Sequence, residues 1–80
     1  MISKKEVLLE IEKVLDLPKN SLRQNSSSDE INQWDSIGHL GILISLDKIF
    51  EGEIAGISGI AQANSVDKIL SILSEHHLVE

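Results

Sequence analysis

Trp34-Asp35-Ser36-Ile37-Gly38-His39-Leu40 closes a polar segment and opens a long apolar-rich run. Asp35 is a strong helix N-cap, because its carboxylate can accept from backbone N–H groups that the first turn leaves without partners. Ser36 then falls at the first helical position, with its hydroxyl near the helix mouth. The spacing predicts a helix from about Ser36 to about Glu51, ended by Gly52. Laid out at helical intervals, its apolar residues exceed what one face can hold. Ile42, Leu43, Leu46, Ile49 and Phe50 make a core stripe, whereas Ile37, Leu40 and Ile44 lie roughly opposite with Asp47, Lys48 and Glu51. This second stripe begins one residue after Ser36. Either another helix covers it, or it is an exposed surface for a partner.

Upstream, Ser3-Lys4-Lys5-Glu6 fits a reciprocal capping box. Val7, Leu8, Ile11, Val14 and Leu15 follow as one apolar stripe, which predicts a helix of about a dozen residues. Leu17-Pro18 stops it, because proline lacks an N–H and disfavours a helical residue before it. Between Lys19 and Gln33 the apolar side chains are chiefly Leu22 and Ile31, expected to pin a long polar loop at both ends. At its centre, Asn25-Ser26-Ser27-Ser28-Asp29 reads first as an exposed, solvated loop, with a phosphorylation site at the triple serine as the alternative. Loops of this length in small domains are often functional.

Downstream, Ile54, Ile57 and Ile60 recur every three residues, as suits a short helix or a 3₁₀ turn. Gly56 and Gly59 each cost about 1 kcal/mol relative to alanine inside a helix, so this element is expected to be weak and mobile. Ser65 caps a last helix carrying Val66, Ile69, Leu70 and Leu73, after which Leu78-Val79 can fold back on the body. The sum is an all-α chain of three longer helices and a short third one, with no strand signal.

Its 80 residues make one domain, 1–80, with no room for a second. There is no cysteine, which removes disulfides, zinc–thiolate clusters and a cysteine nucleophile. Trp34 and Phe50 are the only aromatics, so the core is aliphatic and offers no stack of rings for bases or sugars. A formal net charge of -6 argues against nucleic acid and anionic membrane as partners, since both need a basic face. The opening Met1-Ile2-Ser3-Lys4-Lys5-Glu6 has no apolar signal region, and no apolar run approaches membrane length. A soluble, cytoplasmic monomer without stable membrane insertion is expected.

Catalytic chemistry finds no support in the pattern. Asp35, Ser36 and His39 share one helix turn and cannot form the linear relay of a hydrolytic triad, and no Gly-x-Ser-x-Gly elbow is present. His39 is expected to be a structural, hydrogen-bonding histidine on the core side of the helix start. His76 and His77 are adjacent, point to different faces and suit a helix C-terminus better than a metal. The glycines make no phosphate loop, and the carboxylates no acid/base pair. The expectation is no catalytic residue, no metal ligand and no enzyme.

Asp35-Ser36-Ile37-Gly38-His39-Leu40, opening a long helix after a long loop, resembles the Asp-Ser-Leu motif of acyl carrier proteins. The likeness extends along the chain, through the first amphipathic helix, the polar loop, Ile49-Phe50-Glu51 at the second helix's end, and Ser65-Val66 opening the last. It implies a small four-helix bundle of the acyl-carrier type. Ser36 would carry 4′-phosphopantetheine, attached through a phosphodiester from coenzyme A by a phosphopantetheinyl transferase. The arm's thiol would hold acyl groups as thioesters and present them to acyl-loading and acyl-transferring enzymes of fatty acid, polyketide or other specialised biosynthesis. Asp35, Ile37, Leu40, Ile44, Asp47 and Glu51 would meet those partners.

This chain departs from the housekeeping members in lacking several acidic residues along the second helix. Gly38, Gly41 and Ile44 are expected to occupy part of that face, with Lys48 offsetting Asp47 and Glu51. Partner binding would then rely more on Ile37, Leu40 and Ile44 than on charge. Gln33-Trp34 stands where peptide-synthetase carriers usually have Gly-Gly. An aminoacyl carrier of the D-alanyl type, and an unmodified helical adaptor using the same surface, remain open alternatives.

Overall fold

In the computed structural model, which describes residues 2–79, the Ser3 hydroxyl accepts from the Glu6 N–H at 3.2 Å and starts helix α1, Lys4–Leu15. The Glu6 carboxylate meets the Ser3 hydroxyl at 3.4 Å rather than the Ser3 backbone, so the expected reciprocal box is a one-sided cap. At the far end Asp16 takes the left-handed conformation, and the Leu17 N–H reaches back to the Glu12 carbonyl at 2.8 Å. Pro18 follows directly. This closure satisfies carbonyls that the last turn leaves over, in the manner of a Schellman end with aspartate in place of glycine.

The loop that follows is anchored from inside α1. Glu12 is only 3% exposed, and its carboxylate accepts from the Asn20 N–H at 3.0 Å and the Leu22 N–H at 2.8 Å. A buried carboxylate needs such partners, and here it finds them in a loop whose own N–H groups have no ladder to join. Leu22 is buried and Ile31 half-buried against the core, so both ends of the loop are pinned as expected. The middle departs from expectation. Ser26, Ser27 and Ser28 are half-buried, and Ser27 forms an isolated antiparallel bridge with Ser65. The Ser26 carbonyl accepts from the Val66 N–H and the Asn64 carbonyl from the Ser28 N–H, both at 2.9 Å. Val66 begins the last helix, and the loop supplies the acceptor that a first helical N–H lacks.

Helix α2 runs Ser36–Ile49, two residues shorter than expected at its end, with Phe50 as its C-cap. Glu51 and Gly52 both turn left-handed beyond it, at φ 55° and 85°. Ile42, Leu46 and Phe50 are buried, while Leu43 and Ile49 pack half-buried against the core. Helix α3, Val66–Glu75, is capped by the Ser65 hydroxyl, which accepts from the Lys68 N–H, and buries Val66, Ile69, Leu70 and Leu73. Between α2 and α3 the isoleucine repeat forms a single 3₁₀ turn, Ile60–Gln62. Ile54 and Ile60 are nevertheless core residues. Val79 returns to the core and bridges Ile2 in parallel, which ties the residue before α1 to the segment after α3. Among the described residues the fold is all-α with no strand, and no helix is long and apolar enough to cross a membrane.

Two glycines in α2 correct the expectation that they line the partner face. A Cβ at Gly38 would lie 2.2 Å from the Gln33 carbonyl oxygen and 3.0 Å from the Leu15 side chain. One at Gly41 would lie 2.9 Å from the Val14 side chain. Both therefore face α1 and the loop before α2, where their missing side chains let the backbone come close. The Ser45 hydroxyl donates to the Glu10 carboxylate across the same interface.

Candidate functional site at the start of helix α2

Asp35 holds the start of α2 in place. Its backbone is extended, and its carboxylate accepts from the Gly38 N–H at 2.8 Å. Ser36 is the first helical residue and is exposed, as the cap requires. Asp35 thus serves the helix before any partner. The helix mouth around Ser36 carries oriented N–H groups and the positive end of the peptide dipoles, a setting that suits an anionic substituent.

Beside Ser36 lies a cavity of about 420 Å³. Trp34, Asp35, Ser36 and His39 line it on the α2 side, Ser28 from the loop, and Gln62 and Asn64 from the segment before α3. His39 is half-buried and bridges these walls. The Trp34 indole N–H donates to His39 Nδ1 at 3.0 Å, and His39 Nε2 lies 3.2 Å from the Ile60 carbonyl oxygen. The two rings are nearly parallel at 17° with centroids 6.2 Å apart, edge to edge rather than face to face. Neither ring nitrogen serves Ser36, so Asp35, Ser36 and His39 do not assemble into a triad.

From Ser36 the exposed stripe runs up the helix. Ile37 is 81% exposed, Leu40 57% and Ile44 53%, and among the described residues these are the large apolar side chains left open to solvent. Large apolar residues grouped in this way mark an interaction surface more often than isolated ones do. A second, apolar cavity of about 250 Å³ adjoins the stripe, between Leu43 and Ile44 of α2 and Ile54, Ile57 and Ile60 opposite. Ala61 lines both cavities.

The two acidic residues expected to flank this surface have different surroundings. Asp47 is half-buried, and its carboxylate accepts from the Ala55 N–H at 3.1 Å, tying the segment after α2 back onto the helix. Glu51 lies beyond the helix end, exposed and left-handed. Asp47 therefore shapes the second cavity, and Glu51 lies apart from the stripe's start. Among the described residues no group of acidic, histidine or cysteine side chains could hold a metal ion.

Sequence reasoning missed Trp34 as the partner of His39 and Glu12 as the loop anchor. The first had a signal: an indole N–H and an imidazole five residues apart across a helix start, both needing partners when buried. For the second the signal was a carboxylate set inside the apolar stripe of α1, next to Ile11.

Together the fold and the site define a small all-α protein whose central helix starts at an exposed serine and displays an apolar stripe. Comparison with protein-family models, curated proteins and solved structures gives no match.

Proposed function

We propose that the chain is a discrete acyl carrier protein, with Ser36 as the attachment point for 4′-phosphopantetheine and the Ile60–Gln62 turn as the reduced third helix of a four-helix carrier bundle. The observation that carries this reading is the placement of Ser36, exposed at the first position of a rigid, Asp35-capped helix, with a bare apolar stripe beginning at the next residue. The Ser36 hydroxyl would attack the β-phosphorus of coenzyme A. A phosphodiester would form to serine, and adenosine 3′,5′-bisphosphate would leave. The residues present fit such a group: Ser36 is exposed, the helix mouth favours an anion, and a cavity opens beside it. When bound, the group would supply a thiol that carries acyl units as thioesters. The chain's own part is to hold Ser36 outward and to dock partner enzymes on Ile37, Leu40 and Ile44. On this reading the protein catalyses nothing itself.

An intact mass after incubation with coenzyme A and a broad-specificity phosphopantetheinyl transferase tests the proposal. One added phosphopantetheine is expected for the wild type and none for Ser36→Ala. No gain in either protein would overturn the carrier reading and favour a helical adaptor that uses the same stripe unmodified. Loading of the holo-protein with acyl or aminoacyl donors then separates an acyl carrier from one of the D-alanyl type.

A further inference from the structure

The bonds of His39 fix more than its position. A tryptophan N–H can only donate, so Nδ1 must be the acceptor. A carbonyl oxygen can only accept, so Nε2 must carry the proton. One protonation state alone, the neutral imidazole with hydrogen on Nε2, satisfies both partners. Adding a proton from solvent to Nδ1 sets two donors against each other 3.0 Å apart. The Ile60 side of the bridge keeps its donor, and the Trp34 side loses its acceptor. Trp34 is only 4% exposed, so its indole N–H cannot turn to water without moving the segment that carries it. That segment is Gln33-Trp34-Asp35, and it ends at the cap of Ser36.

We propose that His39 is a proton-sensitive bridge across the cavity beside Ser36, and that its protonation frees Trp34 and loosens the seat of the serine. One fixed charge shares the cavity lining with His39. Asp35 is the charged residue lining the cavity, and its carboxylate is engaged by the Gly38 N–H. From the loop, Asp29 and Glu30 are exposed and do not line it, and Glu30 meets the Ser27 hydroxyl. The wall formed by Ala61, Gln62, Ala63 and Asn64 carries no charge. In the first turn of α3, Lys68 donates to the Asn64 side chain and Asp67 lines other cavities. The bridge belongs to the unmodified chain. Its consequence, that access of partners to Ser36 varies with acidity, rests on the carrier reading.

The test is NMR of the ¹⁵N-labelled, unmodified protein across the imidazole range, from about pH 7.5 to about pH 5. Trp34 is the only tryptophan, so its indole N–H gives one resonance. Its exchange protection, corrected for the intrinsic pH dependence, is expected to fall about three- to tenfold as the bond is lost. The same fall is expected in the His76→Asn, His77→Asn double variant and is expected to be absent in His39→Gln. Protection that stays constant in the wild type, or a fall that persists in His39→Gln, overturns the proposal. Should His39→Gln fail to fold, the wild-type imidazole nitrogen shifts decide. Nδ1 protonation must coincide with the indole change, and a change at a different pH overturns the bridge. Phosphopantetheine loading is read separately by mass, so failure of either idea leaves the other standing.

Discussion

The two sides of α2 are both rich in small or apolar residues, yet they behave oppositely. Toward α1 and the preceding loop, Gly38 and Gly41 leave no room for even a methyl group, and Ile42 and Leu46 are fully buried. Away from them, Ile37, Leu40 and Ile44 stand in solvent with more than half their surface open. Residue type does not separate the sides. What separates them is the approach of another backbone, which glycine permits on one side and which nothing among the described residues provides on the other. An isoleucine on this helix is therefore core or surface according to its angle alone.

The sharpest way to break that contrast is to truncate one isoleucine on each side. Ile42→Ala is expected to destabilise the fold by about 2–5 kcal/mol, since it removes a fully buried side chain and leaves a cavity. Ile44→Ala, two residues on, is expected to stay within about 0.5 kcal/mol of wild type. Urea unfolding of both proteins measures the difference. Equal losses would mean that the stripe is covered in solution and that the contrast is false.

The glycines offer the next test. Gly38→Ala is expected to cost about 1–3 kcal/mol, because the new methyl meets the Gln33 carbonyl oxygen and the backbone must shift. Gly56→Ala meets nothing within 4 Å and Gly56 lies outside the left-handed region, so it is expected to be neutral or to stabilise by about 0.4–1 kcal/mol. Thermal melts of the two variants should move in opposite directions or leave Gly56→Ala unmoved.

The helices were legible because each has a local signature that tertiary contacts reinforce. Ser3, Asp35 and Ser65 all cap as their side chains dictate, and the three apolar stripes found their period. The exposed stripe was legible as an excess of apolar residues, though not whether anything covered it. What stayed hidden depends on partners distant in the chain. The triple serine reads as solvated, and only its bonds with the Val66 N–H, which has no partner within its own helix, and with the Asn64 carbonyl draw it onto the start of α3. Gly38 and Gly41 looked like gaps in a partner face because a wheel of one helix does not show where its neighbour's backbone lies. Glu12 and Trp34 were hidden for the same reason: the loop N–H groups and the imidazole that partner them follow only from the fold.

If the open side is a docking surface, its residues should affect binding and leave stability alone. On the carrier reading, Ile37→Ala and Leu40→Ala are each expected to weaken association of the loaded protein with a partner enzyme by about tenfold, as truncation of an apolar anchor does. Their unfolding midpoints should match that of wild type. Weaker binding together with lost stability would place these residues in the fold rather than on the surface.

The smallest expected effect is that of salt. Charge has little part at the start of the stripe: Asp35 is engaged by the Gly38 N–H and Asp47 by the Ala55 N–H. Glu51 lies past the helix end, and Lys48 on the last turn opposes it in sign. An interface led by Ile37, Leu40 and Ile44 carries few pairs for ions to screen. Raising the ionic strength to shorten the screening length from about 10 Å toward about 3 Å should therefore change affinity by less than about threefold. A steep fall would show that the protein's net negative charge, rather than the apolar stripe, brings the partner to Ser36. The acidic side chains outside α2 would then have to be included in the docking surface.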